Sequence, residues 1–175
     1  MYHPDKYQLH NEALNRFCAA FNAAAAQCDN IILMKPSDGE NFRDDGEIVY
    51  QPDGTKILYD FEKRNRYYHT CSFPFKDFGQ FERKIQKPEI SLSIQCSHDE
   101  QCFCIAWHDD FRKEPVKQIG SVTATGAKEF TGKRFTRAFR ELKYSEMETF
   151  YRMLKKAFAQ RTFNASCFNY EPISS

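Results

Sequence analysis

DGEIVYQPDGTKILYDFEKRNR, residues 45–66, holds two β-favouring runs, 47–51 and 56–64, on either side of Pro52-Asp53-Gly54-Thr55. An Asp-Gly between two such runs is a strong short-range hairpin signal. In the second run the pleat sends Ile57, Tyr59 and Phe61 to one face and Leu58, Asp60, Glu62 and Arg64 to the other. Two carboxylates thus lie two residues apart on one face of a strand whose opposite side is apolar. Asp44-Asp45 precedes the first strand, and antiparallel pairing brings the start of one strand beside the end of the other. Asp45, Asp60 and Glu62 are therefore expected to converge. Carboxylates held close together repel, and a divalent cation or a proton relieves the repulsion. The plainer account is a half-buried edge strand with a solvated charged face.

Working outward, 175 residues suffice for a single domain with its own core, here about 8–161 with a weakly ordered tail over 162–175. Aromatic residues make up 15% of the chain, enough to build that core despite a mean hydropathy of −0.70. The longest apolar-looking run, 18–26, is interrupted by Asn22 and is too short for a membrane span or signal peptide. The expectation is a soluble, cytoplasmic protein. Its net charge of +1 conceals an asymmetry: residues 1–62 carry 5 basic and 11 acidic side chains, residues 128–161 carry 10 basic and 4 acidic. An acidic part that gathers cations and a basic part that holds phosphates suit a metal-dependent nuclease; the plainer reading is Lys and Arg on solvent-facing helices.

Seven Cys residues, an odd number spread through core-like segments, do not resemble a disulfide framework, and most are expected to be reduced. Cys96-x-His98-x-x-x-Cys102-x-Cys104 contains zinc-ligand types. However, 89–95 and 103–108 read as strands around a turn at 97–100, which puts Cys102 and Cys104 on one strand face and favours small half-buried side chains.

Before the hairpin, Leu14, Phe17, Cys18, Phe21, Ala24, Ala25 and Cys28 fall at helical spacing over about 11–27, with Asn11 as N-cap and Glu12 in the first turn. A short strand over 30–34 ends at Pro36. After the hairpin, 67–71 prolongs the strand, 78–87 is ambiguous, 117–125 reads as a strand and 130–142 as a strand or irregular arm. Ser145 caps a helix over about 146–161, with Glu148 in the capping-box position and Met147, Phe150, Tyr151, Leu154 and Phe158 as its core stripe. The architecture expected is α/β (α+β): an N-terminal helix, a hairpin-rich mixed sheet and a C-terminal helix packed on it.

A helix followed by a meander in which an Asp opens one strand and an acid-x-acid pair ends the next resembles the PD-(D/E)XK nuclease superfamily, the restriction-endonuclease-like enzymes, in divergent form. The resemblance covers about 10–110. It implies that Asp45 is the motif Asp, that Asp60-Phe61-Glu62 stands for acid-x-Lys, and that Glu12 is the helix acid. Glu62 occupies the usual Lys position, as an acid does in some restriction endonucleases of this superfamily; Lys63 is adjacent on the other face, and Lys84 can supply the cation from elsewhere. The implied chemistry is Mg²⁺-dependent hydrolysis of DNA or RNA, with Asp45, Asp60, Glu12 and the Phe61 carbonyl toward the metal and Glu62, Lys63 or Lys84 toward the attacking water. Arg134, Arg137, Arg140 and Lys143 would position phosphates, and Tyr67 and Tyr68 would stack on bases. A homodimer is compatible with this reading. The competing class is a non-catalytic nucleic-acid-binding or protein-interaction accessory factor of phage or mobile-element type. His69-Thr70 supplies only half of a two-histidine phosphoesterase pattern, and neither a hydrolase elbow nor a Gly-rich phosphate loop occurs.

Overall fold

The computed structural model describes residues 4–37, 44–64, 67–113, 117–122, 129–134 and 139–169. The elements are α1 (Pro4–Gln27), β1 (Ile32–Pro36), β2 (Gly46–Tyr50), β3 (Thr55–Lys63), α2 (Glu82–Ile85), β4 (Ile90–Cys96), β5 (Cys102–Trp107), α3 (His108–Lys113), β6 (Lys117–Val122), β7 (Glu129–Arg134), β8 (Phe139–Lys143) and α4 (Met147–Gln160), with 3-10 turns at Tyr144–Glu146 and Ala165–Asn169. Six strands form one mixed sheet in the order β1-β2-β3-β4-β5-β8, and β6 pairs with β7 apart from it. The β3/β4 pair is parallel and the other neighbours in the six-stranded sheet are antiparallel. The α/β architecture expected from the sequence is present, with the first helix and the last long helix packed on the sheet.

The hairpin forms as its sequence dictates. Gly54 takes a φ of 75°, a conformation open to glycine; its amide bonds to Tyr50 at 2.9 Å, and the Asp53 carboxylate accepts the Thr55 amide at 2.9 Å. On β3 the inward face, Ile57, Tyr59 and Phe61, joins Phe17 and Phe21 of α1 and Phe150, Leu154 and Phe158 of α4 in the main core. Gly46 permits a close approach at the strand start. A Cβ there would lie 2.1 Å from the Lys35 carbonyl oxygen and 2.3 Å from the Tyr59 hydroxyl, and that hydroxyl donates to the same carbonyl at 3.0 Å. Gly46→Ala is therefore expected to cost about 2–3 kcal/mol in chemical denaturation, the scale of overpacking a filled site. A change under about half a kcal/mol would show that β2 shifts freely.

Parallel strands need a long connection, and the described part of it, residues 67–89, lies over the sheet face opposite α1. The stretch 67–71, expected to prolong β3, is not strand. It is held by the amides of His98 and Asp99, which donate to Tyr68 at 2.7 Å and His69 at 3.2 Å, and by a disulfide between Cys71 and Cys102. Five thiols are free, in keeping with mostly reduced cysteines. Beneath the connection, Tyr68, Phe78, Ile85, Cys102, Cys104, Ala106 and Phe111 form a second buried cluster.

Other boundaries move for local reasons. Helix α1 starts at Pro4, so Asn11 lies inside it and is not its N-cap; proline suits a first turn, where no amide partner is needed. At α4 the cap is not Ser145: the Glu146 carboxylate accepts the Lys143 amide at 2.9 Å, while Glu148 pairs with Arg152 one turn on. The expected weak tail is packed as far as 169, with Phe163 against Trp107 and Phe158 and Cys167 buried beside the Trp107 indole. Among the described residues no helix is long and apolar enough to cross a membrane.

Candidate functional site

The β2/β3 register pairs Gly46 with Tyr59, which places Asp45 beside Asp60 at the mouth of the hairpin. One Asp45 oxygen accepts the Phe61 amide at 2.7 Å, and the other meets His10 Nε2 at 3.2 Å. Asp60 is 7% exposed, on the face turned toward the β3–β4 connection. Its Oδ2 accepts Lys84 Nζ at 2.9 Å and Gln80 Nε2 at 3.1 Å. Gln80 cannot turn its amide over, because its carbonyl oxygen accepts the Phe81 amide at 2.9 Å. Gln80 also donates to Ser93 Oγ at 3.0 Å, and that hydroxyl shares a hydrogen bond with His108 Nε2 at 2.6 Å. Burial keeps that imidazole neutral, its pKa pushed down to about 3.

The two aspartates titrate in opposite directions. Burial, opposed by Lys84 and reinforced by Asp45 and Glu62, lifts Asp60 to about 6. Burial also works against the Asp45 anion, but the His10 contact, the Phe61 amide and a bond from Asp60 outweigh it and hold Asp45 below the usual carboxylate range. Below about pH 6 the pair therefore holds a proton on Asp60 and a charge on Asp45. Contact with Asp45 outweighs burial at His10 and raises that imidazole.

This fixes a pH dependence without any ligand. A carboxyl whose folded pKa lies above its unfolded value stabilises the fold below the unfolded pKa and loses that stability as pH rises through the folded one. Asp60 and the raised His10 act alike, so thermal stability should fall between about pH 4 and 7.5, by at most roughly 3 kcal/mol for Asp60's shift of about two units. Asp45 acts in the opposite sense, only below the ordinary carboxylate range. Melting curves across this window that stay flat, or rise, would contradict the assignment.

Glu62 lies on the Asp60 face of β3. One oxygen takes Arg64 at 2.9 Å, and the other is buried with no hydrogen-bond partner. Arg64 also donates to Gln95 at 3.2 Å. Lys63 points to the opposite face and binds Glu100 at 3.0 Å, so it takes no part in the site. Glu12 is exposed and accepts Gln8 at 3.1 Å; the α1 side chain that reaches Asp45 is His10, two residues earlier. Tyr68, expected to stack on bases, is fully buried, and its hydroxyl donates to Glu141 at 2.5 Å. Arg140 donates to the Phe168 carbonyl at 2.8 Å; Lys143 is exposed at the end of β8; Arg134 ends β7, and Arg137 lies outside the described residues. The Cys96-to-Cys104 group does not converge: Cys102 is in the disulfide, Cys104 faces the second cluster and Cys96 the main core.

Lys84 reaches Asp60 from a four-residue helix, 24 positions further along the chain. Gln80, Ser93, His108 and His10 carry no sequence signal of their own; the first three depend on the path of the β3–β4 connection over the sheet, and His10 on how α1 sits on it. Among the described residues no cluster of three or more His, Cys, Asp and Glu side chains is assembled as a metal cage. Comparison with protein-family models, curated proteins and solved structures finds no match.

Proposed function

We propose that the chain is a metal-dependent phosphodiesterase acting on nucleic acid, with its centre at Asp45, Asp60, Glu62 and Lys84. The observation that carries this reading is the Asp60–Lys84 contact of 2.9 Å beside Asp45: two carboxylates and a lysine gathered from a strand start, a strand end and a separate helix. The donor set suits a hard cation. Magnesium is commonly held by one or two carboxylates together with substrate phosphate, without an all-protein cage. The unpartnered buried oxygen of Glu62 and the Asp60 carboxyl, whose proton affinity is raised first by burial and then by the Asp45 and Glu62 charges, both mark a place where positive charge is favoured.

In this reading Asp45 and Asp60 hold the cation, which when bound would polarise the phosphate and acidify water. Asp45 is already ionised and oriented by the Phe61 amide. Asp60 is aimed by Gln80 and carries its charge above its pKa of about 6. Lys84 neutralises Asp60 and presents a positive charge where negative charge develops on the phosphate. Glu62 is placed to accept a proton from water, and Arg64 fixes its orientation. Because Lys84 already supplies a cation, Glu62→Lys would crowd a third positive charge beside Arg64 and Lys84.

The test is plasmid nicking and oligonucleotide cleavage with Mg²⁺ and Mn²⁺, alongside calorimetry with each ion. Metal-dependent cleavage is the expected result. Nucleic-acid binding without cleavage or metal binding would favour the accessory-factor reading instead.

A further inference from the structure

At the edge of the site one large aromatic side chain stays in solvent. Tyr67 is 42% exposed, yet it is mounted firmly. The Arg64 guanidinium lies 5.5 Å from its ring centroid, and Phe75 meets it edge to face at 5.1 Å. Phe75 packs on Phe73 and Phe73 on Phe78, so the exposed ring is the end of an aromatic row running into the second buried cluster. Arg64 is held just as firmly, by Glu62 at 2.9 Å and Gln95 at 3.2 Å. Gln95 is buried and bonded to the Gly79 carbonyl at 2.9 Å. One guanidinium thus joins the acid beside Asp60 to an exposed, preordered aromatic surface.

We infer that Tyr67 and Arg64 form a subsite for an unpaired base next to the phosphate at Asp60, so that the substrate is a single-stranded stretch of nucleic acid. This rests on the phosphodiesterase reading. Bases in a duplex are stacked on one another and cannot lie on a protein ring, whereas unpaired bases stack on aromatic side chains and guanidinium planes with little regard to sequence. A ring already ordered by Arg64 and Phe75 loses little freedom on binding. Arg64 is suited to pair with the flanking phosphate while still holding Glu62 and Gln95, because a guanidinium offers several donors in a planar fork. A surface that reads duplex DNA through its backbone alone would have no use for an exposed ring at this position.

The experiment is fluorescence anisotropy in EDTA, where no cleavage occurs, with wild type, Tyr67→Phe and Tyr67→Ala. The probes are a labelled oligothymidylate, an oligouridylate of the same length and a duplex of that length. Tyr67→Ala should lose roughly tenfold in affinity for the single strands, Tyr67→Phe should bind as wild type, and duplex binding should be the same in all three. Equal losses on single strands and duplex, no loss on either, or no measurable binding of single strands would overturn the inference. Melting temperatures of the variants report folding separately. Since no metal is present, the outcome is independent of whether the centre cleaves, and failure of the catalytic reading appears only in the Mg²⁺ and Mn²⁺ assays.

Discussion

Asp60→Asn should abolish metal-dependent cleavage, by roughly a thousandfold or more, while leaving the protein folded. Asparagine reproduces the protonated form of Asp60 closely. Its carbonyl oxygen can accept both Lys84 and Gln80, as Oδ2 does now at 2.9 and 3.1 Å, and its NH₂ can donate to Asp45 where the Asp60 proton does. What it cannot do is ionise. The variant should therefore lose metal affinity in calorimetry and lose the decline in stability above about pH 4, because the carboxyl lifted to about 6 is gone. A variant that nicks plasmid at the wild-type rate would remove Asp60 from the chemistry and the proposed centre with it.

The parts of this site that were legible in the sequence are those fixed by local rules. Asp-Gly between alternating runs specifies the turn, the pleat then specifies that Asp60 and Glu62 share a face, and antiparallel register places Asp45 next to Asp60. Lys63 was also legible, since a period of two sends it away from Glu62. The rest depends on how far the chain travels before it returns. His10 replaces Glu12 because α1 begins at Pro4 and its orientation is set by Phe17 and Phe21 in the core, which the helical period alone does not fix. Tyr68 carries the composition of a base-stacking residue, but the crossover folds it under and pairs it with Glu141, 73 residues later. Cys71 and Cys102 meet for the same reason, 31 residues apart. Gln80, Ser93 and His108 look ordinary in sequence; their role is to aim a carboxylate on a strand parallel to the one that carries Ser93.

Lys84→Met should then be the most damaging single change at the site after loss of Asp60 itself, and its damage should depend on pH. Lys84 is the largest influence opposing burial at Asp60, and its side chain is only 19% exposed where it meets the 10% exposed Asp60. Methionine fills the same channel over the sheet without a charge. Removing one partner of a largely buried ion pair leaves the other uncompensated, which costs about 3 kcal/mol. Asp60 can escape that cost by keeping its proton. The destabilisation should therefore be greatest near pH 8, where folded wild-type Asp60 is ionised against Lys84, and should shrink toward pH 5, where the folded carboxyl is mostly neutral in both proteins. Cleavage should fall by roughly a hundredfold or more, since both the cation and the ionised acid are lost together. Adding Asp60→Asn to Lys84→Met should restore most of the stability and none of the activity, because an amide needs no neutralising partner; two changes this close are not expected to add. If the double variant is instead as unstable at pH 8 as the sum of the two singles, Lys84 supports the fold by packing alone, and the charge pairing at Asp60 is not what holds α2 over the hairpin.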